Sequence, residues 1–252
     1  MRNDSWAPYG AAAGAVAVIL FAIGYLIAPT PPDIGASPDE IAAYFGEDRT
    51  RTHVSTGFIA ASVPFFIWWL ATIASLARAG GPGTRRAGLV AYGCGIVAVT
   101  LFLADVTALS VGTLRPENMA ASPELATALF DFSWLALGVG SLVFAGVFAA
   151  FAVMVLRDNA LWPDWLGWAA AGVAVLTALR LGSVFTTDGP FRTVEGVLGF
   201  WLPVGAFAVW TLIASIALWA SVRKTSEPGG LFGPVSGAIS RVRDTLPGGG
   251  SG

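Results

Sequence analysis

The chain is 252 residues long, 55% of them hydrophobic and only 12% charged, with a mean hydropathy of +0.70, against the roughly 25% charged residues of a soluble domain. So little polar surface cannot wet a soluble fold, and a net charge of −2 from 16 acidic and 14 basic residues offers no basic face to nucleic acid. A single cysteine, Cys94, and a single histidine, His53, exclude an internal disulfide framework, a paired-cysteine zinc or redox motif and bis-histidine haem ligation.

A bilayer core of roughly 30 Å needs about 20 apolar residues of helix. Six runs of that kind occur, at Tyr9–Ala28, Val54–Ala77, Ala87–Leu109, Ala128–Leu156, Trp165–Phe185 and Val194–Val222. The expectation is an all-α polytopic membrane fold, with a six-helix transmembrane domain over 1–224 and a cytoplasmic tail over 225–252. The first run follows Arg2, as in a secretory signal, but it exceeds the usual apolar core of about 7 to 15 residues and lacks a clear small-x-small cleavage site, so it is read as a retained span.

Between the first two runs, Ser37-Pro38-Asp39-Glu40 carries the pattern of a capping box with proline at the first helical position. Ile41, Tyr44 and Phe45 then share one face, which describes a short amphipathic helix lying on the outer surface. A second copy of the motif, Ser122-Pro123-Glu124, is placed to start the fourth span outside the membrane. Pro64 and Pro203 fall inside the second and sixth runs, where each is expected to kink its helix.

The odd spans open alike, on Tyr9-Gly10-Ala11-Ala12-Ala13-Gly14, Tyr92-Gly93-Cys94-Gly95 and Trp168-Ala169-Ala170-Ala171-Gly172, and the even ones close on Leu76-Ala77-Arg78, Val155-Leu156-Arg157 and Ser221-Val222-Arg223. That pattern suggests three tandem helical hairpins in parallel topology. Gly10 and Gly14 form a GxxxG face, and Gly93, Gly95 and Gly172 also suit close helix packing. After Lys224 the tail offers Val235, Ile239, Val242 and Leu246 at helical spacing beside Arg241 and Arg243, a pattern open to a basic amphipathic helix or a flexible tail.

Lysine and arginine in the loops set the orientation. With the N-terminus inside, Arg2, Arg78, Arg85, Arg86, Arg157, Arg223, Lys224, Arg241 and Arg243 are inner, whereas Arg49, Arg51, Arg115 and Arg192 are outer. Nine against four favours both termini in the cytoplasm. Trp162 and Trp165 then fall at the inner interface as an aromatic belt.

Charges within the spans need a reason, since one at a helix centre costs roughly 2.5 to 3.5 kcal/mol on insertion scales. Asp105 lies about 27 Å from the inner end of the third span and Arg180 about 22 Å from that of the fifth, at 1.5 Å per residue. Asp131 sits near the outer end of the fourth. Glu195 and His53 begin the sixth and second spans slightly further out. Together these residues describe a polar layer in the outer third of the membrane, with Arg180 as its hub, because a guanidinium can hold two carboxylates and stays charged when desolvated. An ion pair fastening helices and a pocket or ion path both fit the pattern.

No nucleophile elbow, P-loop or dinucleotide fingerprint is present, and neither a cofactor, a metal nor nucleic acid is expected. The function that fits best is non-enzymatic binding or passage of a small molecule, ion or lipid through the polar layer, with the lipid bilayer itself as a partner. An intramembrane enzyme acting on a lipid-linked substrate, or a structural or partner-binding subunit, is the alternative.

From the Pro-rich exit of the first span through Ser37-Pro38-Asp39-Glu40-Ile41-Ala42-Ala43-Tyr44-Phe45 to the aromatic second span, the chain loosely resembles multi-pass integral membrane proteins of high-GC Gram-positive bacteria that are themselves uncharacterised. One lysine against thirteen arginines suits such a genome. The resemblance implies a bacterial plasma membrane and no site residue.

In a Cys94→Ala background, an impermeant thiol reagent should label Glu40→Cys and Asn118→Cys from outside, and Gly83→Cys and Gly230→Cys only after permeabilisation. The reverse pattern would overturn the orientation.

Overall fold

The computed structural model describes residues 6–158, 162–186, 189–192 and 196–226. Glu195 and the amphipathic stretch expected in the tail lie outside the described residues. Those described form eight α-helices and no strand: α1 (Ala7–Ile27), α2 (Pro38–Glu47), α3 (Arg49–Ala77), α4 (Pro82–Leu114), α5 (Pro116–Ala121), α6 (Pro123–Asp158), α7 (Asp164–Leu179) and α8 (Leu202–Ser226). Six of them, α1, α3, α4, α6, α7 and α8 with the turns that extend the last two, are long and apolar enough to cross a membrane. The fold is all-α and polytopic, as the sequence pattern predicts.

The six long helices form a closed ring. Each packs against its neighbour in the chain, and α1 packs against α8. The most extensive pairs are α4 with α6 and α1 with α3, two of the three expected hairpins, whereas α7 leans more on α6 than on α8. Small side chains make the closest approaches. Gly10 faces Thr72, and Gly14 faces Trp69 and Ser215 with no room for a Cβ, so the GxxxG face joins α1 to α3 and α8 within one chain. Gly95 likewise admits Leu70, whereas Gly93 and Gly172 have open space around them. The outside of the ring carries exposed Ile19, Leu89, Val97, Val139, Val175 and Ile216, a surface suited to acyl chains rather than water.

One end of the ring is filled by aromatic side chains. Phe151 stacks on Trp210 at 5.2 Å and meets Trp69 edge-on at 5.6 Å. Trp162, expected in an interfacial belt, is instead 3% exposed. Its Nε1–H donates to the Ala214 carbonyl at 3.0 Å, while Trp210 donates to that of Leu166 at 3.0 Å, so the two indoles cross-tie the start of α7 to α8. Trp165 and Trp168 face outward.

The other end carries a cap of α2 and α5. Ser37 completes the expected capping box, accepting from the Glu40 N–H at 3.3 Å while its own N–H donates to the Glu40 carboxylate at 2.9 Å. The apolar face of α2 does not rest on the bilayer surface, however. Ile41 and Phe45 are fully buried against Met119 of α5 and Ala126, Phe130 and Trp134 of α6, and Phe45 occupies the space that a Cβ on Gly112 would need. At this end Arg51 Nε donates to the last carbonyl of α1, Ile27, at 3.0 Å, and an ion pair joins Asp33 to Arg192.

The two span prolines differ in setting. Pro64 lies within α3. Pro203 lies within the sixth span, Val197–Arg223, directly after a π-helical turn over Val197–Trp201, where its missing N–H leaves a carbonyl of that turn without its helical donor. The fifth span also breaks: α7 stops at Leu179 and the chain continues in a 3-10 turn, Arg180–Val184.

Phe45→Ala should lower stability in detergent by about 3–5 kcal/mol, as for other buried aromatics, while Ala43→Ser on the exposed face of α2 stays within about 0.5 kcal/mol. Equal thermal midpoints for the two variants would mean that α2 is not docked on α6.

Candidate functional site

Asp105 and Arg180 are the charged side chains buried within the ring, at 5% and 6% exposure among the described residues. Asp105 projects from α4, and the Ser133 hydroxyl of α6 donates to its Oδ1. Above it stands Tyr44 of the α2 cap, whose hydroxyl is pushed up to about 12, first by burial and then by the Asp105 carboxylate. A neutral phenol over a carboxylate is the stable arrangement there, since ionising Tyr44 would set two negative charges side by side.

Arg180 occupies the C-cap position of α7, where the last carbonyls of the helix present the negative end of its dipole. Its guanidinium lies over the Phe200 ring at 5.5 Å, a cation–π contact strengthened by the absence of water. Phe200 stacks on Tyr25 at 5.1 Å, and Trp201 meets Tyr25 edge-on at 6.0 Å. The π turn before α8 turns Phe200 inward and leaves Trp201 half-exposed, and its close approach to the backbone of Phe191 and Arg192 depends on Gly199, where a Cβ would collide with that backbone.

The carboxylate and the guanidinium feel one another's charge without touching. The ion pairs within 4.0 Å among the described residues are Arg51–Asp48 and Arg192–Asp33. Asp105 thus supplies a counter-charge that eases the burial of Arg180, but it leaves the donors of Arg180 free. Nε and Nη2 are both shielded from solvent and have no hydrogen-bond partner.

The other residues of the expected layer are placed differently. Asp131 is exposed on α6, between Phe130 and Trp134, which turn inward, and it makes no ion pair with Arg180. His53 is half-buried on α3 with its Nε2 enclosed and unbonded, and no hydrogen bond or ion pair joins it to Asp105 or Arg180. Glu195 lies outside the described residues. Ser133, Tyr44 and Phe200 were not singled out as site residues, although a buried carboxylate requires a donor and Ser133 sits on the span paired with that of Asp105.

Beside Arg180 lies a partly open cavity of about 130 Å³ to which all six spanning helices contribute. Phe21, Phe66, Phe102, Phe144 and Phe207 supply its aromatic walls, and Arg180 is its charged member. Three hydroxyls also line it, but each donates to its own helix: Ser62 to the Ile59 carbonyl at 2.6 Å, Ser141 to Gly138 at 2.6 Å and Thr177 to Val173 at 2.7 Å. The guanidinium is therefore the cavity's uncommitted donor. Among the described residues no cluster of His, Cys, Asp or Glu could hold a metal ion.

Arg180→Ala removes a counter-charge that Asp105 does not touch, so the cost is less than the about 3 to 5 kcal/mol of breaking a buried contact pair, read as a fall in thermal midpoint in detergent. Adding Asp105→Asn should restore part of the loss. A double variant no more stable than Arg180→Ala alone would show that the two sites are uncoupled.

Comparison with protein-family models, with characterised proteins and with solved structures finds no match for this chain.

Proposed function

We propose that this chain is a non-enzymatic binding protein of a bacterial plasma membrane, with both termini in the cytoplasm, which takes a small and largely apolar molecule into the cavity at the centre of its ring. The cavity of about 130 Å³ bounded by all six spans carries this reading. Its wall is almost wholly apolar, with Arg180 as the charged member among the described residues. A site of this kind, mostly apolar with one placed polar group, is the usual form of a small-molecule pocket.

Binding fits better than passage. Phe151 stacked on Trp210, with Trp69 edge-on to both, fills the ring at the end away from the cap. The arginine distribution supports the cap facing outward, so the cavity would be loaded from the outer side or laterally from the bilayer. Catalysis lacks support, because no nucleophile lies beside a base at the cavity wall.

Benzene serves as a probe of the cavity without regard to the natural occupant, since an apolar cavity of about 150 Å³ binds it. It should raise the thermal midpoint of the wild-type protein in detergent and leave that of Ala136→Phe, which fills the cavity, unchanged. Equal shifts in both would mean that benzene acts through the micelle, and the reading would fail.

A further inference from the structure

We infer that the cavity is a seat for a monocarboxylate, whose head group is held by the Arg180 guanidinium and whose apolar body lies among the phenylalanines. This rests on the reading of the cavity as a binding site and names the class of molecule it takes.

The guanidinium identifies the head group. Arg180 borders the cavity and has no ion pair within 4.0 Å, and its Nε and Nη2 are enclosed without a hydrogen-bond partner. A planar guanidinium is the cation that matches a carboxylate best. Burying a charge with its donors unmet is costly, and Asp105 does not relieve it: its carboxylate is taken up by Ser133 and does not line the cavity. The three hydroxyls have spent their protons on their own helices and can offer only lone pairs. A cationic or donor-rich ligand would therefore find no acceptor of comparable strength and would face Arg180 directly.

Charge and size narrow the class further. A phosphate monoester would bring up to two negative charges to a single guanidinium in an apolar wall, whereas a monocarboxylate matches its one positive charge. The five phenylalanines and about 130 Å³ of space compare with the roughly 150 Å³ that accommodates benzene in an apolar core. One aromatic ring or a short stretch of acyl chain fills it. The shared chemistry can come from water, as an arylacetic acid, or from the bilayer, as a free fatty acid whose chain leaves between two helices.

The test compares each acid with its neutral counterpart on the wild-type protein in uncharged detergent, by calorimetric titration: phenylacetate against phenylacetamide, and oleate against methyl oleate. A charge-assisted bidentate contact predicts that at least one acid binds about tenfold or more tighter than its neutral form. Preference within the first pair points to a soluble source and within the second to the bilayer; either supports the inference. Arg180→Lys should lose most of the preference although it keeps the charge, because an ammonium lacks the fork. Equal affinity of acid and neutral form overturns the carboxylate assignment while leaving the cavity a binding site. Acetate binding as tightly as phenylacetate overturns the idea that head and apolar body belong to one molecule. If benzene and all four probes fail to bind, the cavity reading falls and takes this one with it. The acid and amide comparison needs no variant, so it decides the matter even where Arg180 variants do not fold.

Discussion

Close backbone contact between neighbouring helices holds this ring together, because lipid tails are as apolar as leucine and give no hydrophobic reason for one helix to prefer another. The inner faces of α1 and α4 are accordingly built from Gly10, Ala11, Gly14 and Ala17 and from Ala87, Gly88, Ala91, Gly95 and Ala98. Dispersion across such faces depends on fit, and a gap of a fraction of an ångström forfeits much of it. Large side chains are then concentrated where helices splay apart. Trp69, Phe148, Phe151 and Trp210 fill the splay at one end, and Ile41, Phe45 and Phe130 fill it beneath the cap. The cavity lies between these two plugs, at the level where the faces have spread but no side chain has been supplied to fill them.

A charge placed at that level needs several partial compensations rather than one full partner. Arg180 receives the dipole of α7, the face of Phe200 and the field of Asp105, none of which uses its N–H groups. A direct ion pair would have compensated the charge more simply and left nothing to offer a ligand. The 3-10 turn after Leu179 and the π turn before α8 are what make this arrangement available, since a continuous fifth α-helix would put Arg180 inside the helix, short of the end of its dipole, and an unbroken sixth would turn Phe200 elsewhere. Irregular backbone at membrane depth is tolerated only where it is enclosed by protein or lines a cavity, and Arg180, in the first of these turns, borders this one.

The six spans are legible in the sequence because a run such as Tyr9–Ala28 can be nothing else in an apolar chain, and Ser37 with Glu40 marks the start of α2 to the residue. Rotational phase is not legible. Helices that are apolar on every face give no stripe from which to judge inside from outside, so Asp105 and Asp131 look alike in the sequence although one is buried and the other exposed. The same blindness placed Trp162 in a belt and the face of α2 on lipid, where tertiary contacts with Ala214 and with α6 prevail. Pro203 reads as internal to the sixth span and is so, but nothing in composition separates the α turn expected before it from the π turn that is there. The unmet edge of Arg180 is a matter of ångströms, and no spacing rule could have revealed it.

Closure of the ring through α1 and α8 has a bearing on how the protein is made. Synthesis proceeds from the N-terminus, and helices pair as they arrive, so α1 can meet α3 and α4 can meet α6 well before the last span exists. The seam between first and last helices must wait for the end of the chain. Until the last span arrives with Phe200 and Trp210, an intermediate that ends just after the fifth span holds the Arg180 guanidinium without the ring that covers it. An unfinished chain is thus marked by a naked charge at membrane depth, a feature that distinguishes it from the completed protein and that the final helix removes on arrival.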